Sequence, residues 1–396
     1  MTLFGYGKTT KAIAQKFGNC KVYDDKFSAL TFDKKGNYFY PSEDFDPNSS
    51  DLEVTSPGIP PSNPLIKRAK NLISEYDLFF DDMPNSIWIS GTNGKTTTSE
   101  MIYTLLKQRG AKLGGNIGEP LANLDKDAPL WILETSSFTL QYTKKAYPNI
   151  YILLPIKPDH ISWHGSFKEY ENSKLKPLFM MGEGDVAIVP HEYKDIKSDA
   201  LIIGYNNSFD LAKEFGIEEK RVKFDEPFLL DAILALAVEK ILIDKISYDL
   251  INDYKIGRHR VEKIIDNRGR VWINDSKATN PDATIAALQS LKNKHIHLIL
   301  GGDDKGADLS ELFEFLKNID LKIYAIGKNK DKIKKLSSEI KKECIISNTI
   351  DIAVKEIDRS HDKDSIAILS PAAASLDQFN SYSQRGDIFI ELVKRL

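Results

Sequence analysis

Short apolar runs separated by longer amphipathic stretches are the main pattern along the chain. Residues 87–89, 130–133 and 150–154 are apolar runs of three to five residues, and a small, proline or acidic residue follows each of them. Between such runs, apolar residues recur at helical spacing, as they do over residues 101–106. This alternation of short strands and helices predicts an α/β fold with parallel sheets.

The same alternation continues to the end of the chain. Because 396 residues are too many for one hydrophobic core, the length predicts two to three domains. The later segments predict one long buried helix and four strands of a further parallel sheet, namely Phe228–Ile243, Val271–Asn274, Ile296–Leu300, Leu321–Ile326 and Ile366–Leu369.

Residues 87–110 combine a short apolar strand, a glycine-rich turn and an amphipathic helix predicted from Thr97. The turn reads GTNGKT over residues 91–96, and Ile89 stands where the full phosphate-loop pattern has its first glycine. A strand, a Gly-Lys-Thr turn and a helix together form a phosphate-binding loop. Lys95 would neutralise phosphate charge, and the Thr96 hydroxyl would bind Mg²⁺.

The N-terminal segment predicts a small α/β domain. Gly5 and Gly7 resemble a shortened dinucleotide-binding turn, with a helix predicted from about Thr10. A strand over residues 20–23 then ends in Asp24-Asp25, either an acid that holds a ribose or base or simply a strand-end turn. Residues 54–64 contain four prolines and one glycine, which predicts a rigid loop that forms a wall of a binding site.

Polar residues follow the central strands at the points where these strands end. Asn116 lies in a glycine-rich turn, Glu134 closes residues 130–133, and His160 follows residues 150–154. Ligands gather at the carboxyl ends of parallel strands, so these side chains are expected beside the phosphate loop. An acid in that position usually holds Mg²⁺ or a water molecule.

Lys174 lies in a predicted helix for which Ser166 and Glu169 have the spacing of a capping box. A lysine on a helix is most often solvated, and this interpretation stays open on the residues alone.

Composition narrows the range of functions. The net charge of −3 argues against nucleic-acid binding on a broad basic surface. Two cysteines, Cys20 and Cys344, exclude a disulfide framework and a four-cysteine zinc site. We expect a cytoplasmic protein, because there is neither an apolar run of about 18 residues nor an export segment.

The strand-end residues suit one kind of chemistry. No Ser-His-Asp or Cys-His motif stands out, so acyl-enzyme chemistry is not favoured. A phosphate loop, an acid and a histidine suit Mg²⁺-assisted phosphoryl transfer from ATP. Lysines and hydroxyls at the strand ends of the last domain would bind an anionic second substrate.

Seven motifs, in order over residues 91–379, resemble those of the Mur ligases: GTNGKTT, ETSSF, PDH, GRHRVE, NDSKATNP, GGDDKGAD and LSPAAASLDQF. The last four are most similar to the members that add D-glutamate. The resemblance implies a Rossmann-like N-terminal domain (residues 1–82), a central P-loop mononucleotide-binding α/β domain (83–257) and a Rossmann-like C-terminal α/β domain (258–396).

The resemblance also implies a reaction. ATP would phosphorylate the carboxylate of UDP-N-acetylmuramoyl-L-alanine, and the amine of D-glutamate would displace phosphate to form an amide in peptidoglycan precursor synthesis. The enzyme would use two Mg²⁺ ions, act as a monomer and insert into no membrane.

By match to the family, Lys95 holds phosphates, Thr96 and Glu134 bind one Mg²⁺, and His160 and an N-carbamylated Lys174 bind the other. These are the expected catalytic and metal residues. The implied ATP-binding set is Gly91, Thr92, Asn93, Gly94, Lys95, Thr96, Thr97, Asp231, Arg260 and Asp275. Asp231 enters as the substitute for an asparagine run that the family has near adenine.

Two further sets follow from the same match. The UDP-sugar peptide would contact Lys8, Thr9, Asp25, Lys26, Ser56, Gly58, Asn116 and Ser136. The D-glutamate pocket would contain Lys277, Thr279, Lys305, Ser375, Leu376 and Tyr382.

Two alternatives stay open. One is a related ligase that uses another amino acid, such as a folylpolyglutamate synthase or a ligase for L-alanine or a diamino acid. The other is a nucleotide-switched binding protein, which would bind nucleotide but show no hydrolysis that depends on an amino acid.

Overall fold

The computed structural model describes residues 1–289, 291 and 293–396. Over these residues the strands form three six-stranded sheets, mostly parallel, which confirms the predicted fold class. The described chain divides into two compact units, Met1–Phe224 with Phe228–Tyr254 and Asp225–Pro227 with Lys255–Leu396. The first unit contains two sheets, and the predicted domain boundaries at 82/83 and 257/258 stay a prediction.

The first sheet is parallel except for its antiparallel edge strand. In spatial order its strands are Thr31–Phe32, Tyr38–Tyr40, Lys21–Tyr23, Thr2–Phe4, Glu53–Thr55 and Leu72–Ile73. Its helices are Lys8–Phe17, Pro64–Arg68 and Glu75–Phe79. The first helix begins at Lys8, two residues before the predicted start, because Gly7 ends the turn and precedes the first helical residue directly.

The prediction of a loop over residues 54–64 is wrong at both ends. Val54 and Thr55 belong to a strand paired with Thr2–Phe4, and this pairing decides their conformation. Pro64 begins a helix, where its missing N–H costs nothing, and the Asn63 side chain caps that helix. The loop proper is residues 56–63, which we call the proline loop.

The central sheet is parallel throughout its described pairs. In spatial order its strands are Leu201–Tyr205, Val186–Pro190, Ile150–Leu153, Ser86–Ser90, Trp131–Glu134 and Lys112–Gly115. Its helices are Lys95–Leu106, Ser137–Tyr142, Ile161–His164, Phe167–Met180, Ser208–Glu214, Phe228–Ile243 and Tyr248–Asn252. The predicted helix Phe228–Ile243 is confirmed and packs against Lys95–Leu106 in one apolar core.

The short helix Glu75–Phe79 fastens the first sheet to the central one. The Asp77 carboxylate accepts hydrogen bonds from the backbone N–H groups of residues 144, 145 and 146 at 2.8–3.1 Å. The buried Tyr76 hydroxyl lies 3.1 Å from the Thr135 hydroxyl, at the end of a central strand. Asp77 and Tyr76 are both buried, so these contacts are shielded from water and hold the two sheets in one arrangement.

The third sheet forms the core of the second unit. In spatial order its strands are Glu262–Ile265, Val271–Asn274, Ile366–Leu369, Ile296–Leu300, Leu321–Ile326 and Cys344–Asn348. The first of these pairs antiparallel and the others parallel. Its helices are Pro281–Gln289, Ser310–Leu316, Lys330–Glu339, Ile350–Asp358 and Tyr382–Lys394. The four strands predicted for this region are confirmed at both ends.

Short 3₁₀ turns link these elements at Ser42–Asp44, Pro47–Ser49, Phe80–Asp82, Lys107–Arg109, Leu121–Asn123, His191–Tyr193 and Glu219–Arg221. Among the described helices, none has the length and apolar character needed to cross a membrane.

The imidazole of His297, in the second unit, is buried, and burial disfavours its protonated form. His297 is 2% exposed, its Nδ1 lies 3.1 Å from the Tyr324 hydroxyl, and its Nε2 has no partner among the described residues. Burial, followed by the nearby His295 and His361, lowers the pKa of His297 to about 4. The unfolded chain, with a pKa near 6.5, therefore binds the proton more readily than the folded unit.

We expect acid to destabilise the second unit through His297. Stability from the neutral imidazole is present above pH 6.5 and is lost as the pH falls toward 4, by about 1–2 kcal/mol at pH 5. Hydrogen exchange of the strand Ile296–Leu300 at pH 7.5 and 5.0, corrected for intrinsic rates, measures this loss. His297→Gln should flatten the pH dependence, whereas the exposed control His191→Gln should keep it. Equal pH dependence in all three proteins would contradict the assignment.

Candidate active site

The phosphate loop joins the strand Ser86–Ser90 to the helix Lys95–Leu106 and needs glycine at two positions. Gly91 has φ +135°, and a Cβ there would lie 2.4 Å from Leu154 Cβ. Gly94 has φ +86°, and its Cβ would lie 2.6 Å from Asp231 Oδ1. Side chains rarely adopt these backbone conformations, so the loop owes its shape to the two glycines.

Hydrogen bonds hold this loop to the turn that follows the neighbouring strand Ile150–Leu153. The Thr92 hydroxyl donates to the Lys157 carbonyl at 3.0 Å and lies 2.9 Å from the Tyr170 hydroxyl, while Thr92 N–H donates to the Pro155 carbonyl at 3.1 Å. The helix starts at Lys95, two residues before the predicted Thr97. Its first turn therefore directs backbone N–H groups and a positive helix end toward the loop. The loop thus has the form of an anion-binding cradle.

Two lysine amines converge on one carbonyl of the loop. Lys95 Nζ donates to the Gly91 carbonyl at 3.0 Å, and Lys174 Nζ donates to the same oxygen at 2.7 Å. Lys174 is 1% exposed, so the interpretation of this residue as a solvated lysine is wrong. Burial, and next the charge of Lys95, hold the pKa of Lys174 well below its usual value. Burial therefore favours the neutral form of the Lys174 amine more than it is favoured in an exposed lysine.

A buried carboxylate lies at the end of the neighbouring strand. Glu134 is 2% exposed, and its Oε1 accepts a hydrogen bond from Asn116 Nδ2 at 2.6 Å. Its Oε2 is buried without a hydrogen-bond partner among the described residues. A carboxylate with one unsatisfied buried oxygen fits a position that binds a cation.

His160 lies in the turn after the strand Ile150–Leu153 and directly precedes the helix Ile161–His164. Its backbone has φ +53°, its Nε2 lies 3.6 Å from Asp159 Oδ2, and its ring contacts Phe138 at 4.7 Å. Its side chain is 37% exposed, so the ring is accessible to a ligand. Within the described residues, no group of three or more His, Cys, Asp or Glu side chains could by itself hold a metal.

The proline loop lies across the glycine turn of the first sheet. A Cβ on Gly5, which has φ +78°, would lie 3.1 Å from Ser56 Cβ and 3.0 Å from Ile59 Cδ1. Gly58 is exposed, and its carbonyl accepts the indole N–H of Trp163 at 3.2 Å. The loop therefore lies against the glycine turn that resembles a shortened dinucleotide-binding turn.

The remaining predicted substrate residues of the first unit lie on four separate segments of the chain. Lys8 begins the first helix and donates to the Gly118 carbonyl, in the turn that carries Asn116, while Thr9 follows it half-buried. Asp25 and Lys26 are both exposed, and Asp25 accepts from the Ser42 hydroxyl. Ser136 caps the helix Ser137–Tyr142, and its contact with substrate stays a prediction.

Asp24 has a role that the sequence left open. Its carboxylate accepts the backbone N–H of Tyr6 at 2.6 Å and that of Lys26 at 2.8 Å. It therefore fixes the glycine turn and the predicted substrate residues that follow it.

Asp231 likewise has a structural partner, because it is buried and accepts from the Thr98 hydroxyl at 2.8 Å. Its contact with adenine stays a prediction.

In the second unit, buried polar residues follow the strand Val271–Asn274. Asp275 accepts from the Ser370 hydroxyl at 2.7 Å and from Val261 N–H at 3.2 Å. Burial raises the pKa of Asp275 to about 7, against these hydrogen bonds and the charge of the half-buried Arg260. Lys277 Nζ lies 5.5 Å from the centre of the Tyr382 ring.

The other predicted residues of this unit lie on adjacent strand-end loops. Ser375 is buried, Leu376 is 66% exposed, and Thr279 and Lys305 are exposed. Asp303 and Ala374 exchange backbone hydrogen bonds, which joins the loop carrying Lys305 to the loop carrying Ser375. The structure thus brings these side chains to one edge of the third sheet.

Arg385 and Tyr170 were missed by sequence reasoning. The buried Arg385 donates to the Ser276 carbonyl at 2.8 Å and to the Ala373 carbonyl at 3.1–3.2 Å, and so joins two strand-end loops. The Tyr170 ring lies 4.7 Å from Lys174 Nζ. The one signal for Tyr170 was its position one turn before Lys174, whereas nothing local marks Arg385.

Two family models match this chain. The Mur ligase middle domain matches residues 89–226, and the glutamate ligase domain of the Mur ligases matches residues 259–372. The UDP-N-acetylmuramoylalanine--D-glutamate ligase of Campylobacter jejuni (strain 81-176) is 52% identical over 400 residues and covers all of both chains. The chain belongs to the Mur ligase family.

Other comparisons agree with this membership. The enzyme of the same name from Helicobacter pylori (strain J99) is 46% identical to this Mur ligase and covers 98% of each chain. The solved structure of a MurF ligase from Thermotoga maritima in complex with ADP has a TM-score of 0.62 at 15% identity. It covers 100% of this chain and 97% of its own, and it supports the fold alone.

We expect Gly94→Ala to lower the affinity of this Mur ligase for ADP by at least about tenfold, since it adds backbone strain and a clash with Asp231. Isothermal titration with ADP and Mg²⁺ measures the change. Gly182→Ala is the matched control, because a Cβ at Gly182 meets no atom within 4 Å and its φ is ordinary. Unchanged ADP affinity in Gly94→Ala would show that the loop shape does not govern binding.

Proposed function

We propose that this Mur ligase joins D-glutamate to UDP-N-acetylmuramoyl-L-alanine at the expense of ATP, in peptidoglycan precursor synthesis. The observation that carries the proposal is 52% identity over the full length of a relative named for that reaction. The phosphate loop, the buried acid and the strand-end lysines supply groups of the chemistry that this reaction needs.

The reaction requires activation of a carboxylate. A carboxylate oxygen of the L-alanyl group attacks the γ-phosphorus of ATP, the bond to ADP breaks, and an acyl phosphate forms. The amine nitrogen of D-glutamate then attacks the acyl carbon, phosphate leaves, and the amine loses a proton to give the amide. In this scheme Lys95 and the backbone N–H groups in the first turn of the helix Lys95–Leu106 bind the phosphates and stabilise the charge on the transferred group.

The residues present fit magnesium. Glu134 offers a buried oxygen without a partner among the described residues, and Thr96 offers a hydroxyl in the first turn of the phosphate-loop helix. His160 and Lys174 are the proposed ligands of a second ion. When bound, Mg²⁺ offsets the negative charge between phosphates and carboxylate. Because no three acidic or histidine side chains cluster among the described residues, phosphate oxygens would complete the coordination.

Lys174 is proposed to carry a carbamate. An amine reacts with carbon dioxide in its neutral form, which burial favours for Lys174: the nitrogen forms a bond to the carbon, and one proton leaves the nitrogen. The product carries a negative oxygen, which suits a cation, whereas an ammonium group would repel it. The support for this proposal is the low exposure of Lys174 and its lowered pKa.

The third sheet is proposed to bind D-glutamate. Two carboxylates need cationic and hydroxyl donors, and its strand-end loops carry both. The proposed residues are Lys277, Thr279, Lys305, Ser375, Leu376 and Tyr382, with Arg260 and Asp275 proposed for the nucleotide. UDP-N-acetylmuramoyl-L-alanine is proposed to bind Lys8, Thr9, Asp25, Lys26, Ser56, Gly58, Asn116 and Ser136. The expected monomeric state and cytoplasmic location stay predictions.

Phosphate release tests the function. The purified protein with ATP, Mg²⁺ and UDP-N-acetylmuramoyl-L-alanine should release phosphate when D-glutamate is added, and not with L-glutamate, L-alanine or a diamino acid. Release with another amino acid would change the assigned amino-acid substrate but would still support the ligase mechanism. Nucleotide binding without release under any condition would favour the switch protein instead.

We expect Lys174→Ala to lose at least about 99% of this activity, because an anionic ligand at the second cation is removed. Added acetate should restore part of it by entering the space of the side chain. The control is Lys168→Ala, whose lysine lies on the same helix with its side chain 70% exposed, and which should keep full activity. Full activity of Lys174→Ala without acetate would refute the carbamate role.

A further inference from the structure

Trp163 connects two parts of the first unit that are far apart in sequence. Its indole N–H donates to the Gly58 carbonyl, in the proline loop, at 3.2 Å. Its ring packs against Phe138 at 4.4 Å between ring centres, and the Phe138 ring contacts His160 at 4.7 Å. One aromatic cluster therefore lies between the proline loop and the proposed cation ligand His160.

A second hydrogen bond reaches the same loop from the same side. The Tyr142 hydroxyl donates to the Ile59 carbonyl at 2.5 Å, and the Tyr142 and Trp163 rings are in edge contact at 6.0 Å. The loop has its own internal bond, from Ile59 N–H to the Ser56 carbonyl. Donors on two helices that follow central strands thus hold the consecutive Gly58 and Ile59 carbonyls, so the loop is fixed from outside as well as from within.

The position of the loop relates these bonds to substrate. On one side it packs on Gly5 and Gly7, in the turn that directly precedes the proposed substrate residues Lys8 and Thr9. On the other side it faces Trp163 and Tyr142, which belong to the elements that also carry Ser136 and His160. A shift of the loop would therefore change the shape of the site proposed for the UDP-sugar peptide.

We infer that Trp163 is a positioning residue that seats the proline loop against the UDP-sugar peptide substrate. The inference rests on the proposed function, because it names the residue that shapes the site for that substrate. Trp163 acts through the loop and has no part in bond making or breaking. Its loss should therefore weaken substrate binding and leave the chemical step intact.

The chain provides a spectroscopic readout of this residue. Trp88, Trp131 and Trp272 are at most 1% exposed, whereas Trp163 is half-buried beside the loop. A change in tryptophan fluorescence on binding UDP-N-acetylmuramoyl-L-alanine should therefore come mainly from Trp163. The three buried indoles provide the constant background.

The test compares wild type with Trp163→Phe, which keeps an aromatic ring beside Phe138 and removes the N–H donor. A neutral hydrogen bond predicts a KM for UDP-N-acetylmuramoyl-L-alanine about threefold to tenfold higher, with kcat and the KM for ATP within about twofold of wild type. The fluorescence change on titration with this substrate should disappear. Tyr142→Phe, which removes the second donor to the loop, should raise the same KM and retain the fluorescence change.

Tyr193→Phe is the matched control, since its hydroxyl donates to Glu171 at 2.8 Å and lies outside the cluster. It should leave every constant unchanged. An unchanged KM in Trp163→Phe, a fall in kcat at unchanged KM, or an undiminished fluorescence change would overturn the inference. Tyr142→Phe keeps the test decisive if Trp163→Phe does not fold. No turnover with UDP-N-acetylmuramoyl-L-alanine in wild type would overturn the proposed function itself.

Discussion

Parallel strand pairing is the constraint on which the candidate site depends. When neighbouring strands run in the same direction, their carboxyl ends meet at one edge, and the turns that follow lie side by side. In the central sheet this brings Gly91, Asn116, Glu134 and His160 to one edge, although they span 70 positions in the sequence. In the third sheet, parallel pairing likewise brings together the loops that follow the strands Val271–Asn274, Ile296–Leu300 and Ile366–Leu369. Arg385 and the Asp303–Ala374 pairing then join these loops.

Each unit keeps polar groups at strand ends, in places where burial makes them costly. In the first unit the pKa of Lys174 is held well below its usual value, and Glu134 keeps a buried oxygen without a partner among the described residues. In the second unit burial raises the pKa of Asp275 to about 7. Isolated buried groups of this kind lower the free energy of unfolding. Their concentration at strand ends is typical of a site shaped for ligands and their charges.

Much of the fold could be predicted because its signals are local. Strands such as Val271–Asn274 are apolar runs with clear ends, and Phe228–Ile243 is a long apolar stretch of helical length. Val54 and Thr55 were misassigned because prolines follow them, while their conformation comes from pairing with a strand fifty residues earlier. The burial of Lys174 and the bonds of Arg385 likewise depend on contacts across the fold, so no local pattern could reveal them.

The helix Glu75–Phe79 has a consequence for the entropy of the reaction. Asp77 and Tyr76 lock the sheet proposed to hold the UDP-sugar to the sheet proposed to hold ATP. The two sites therefore have a fixed spacing before either substrate arrives. The entropic cost of restricting the reacting carboxylate and the γ-phosphate relative to each other is then largely incurred when the chain folds. In such an arrangement the two substrates react at a high effective concentration, as groups within one molecule do.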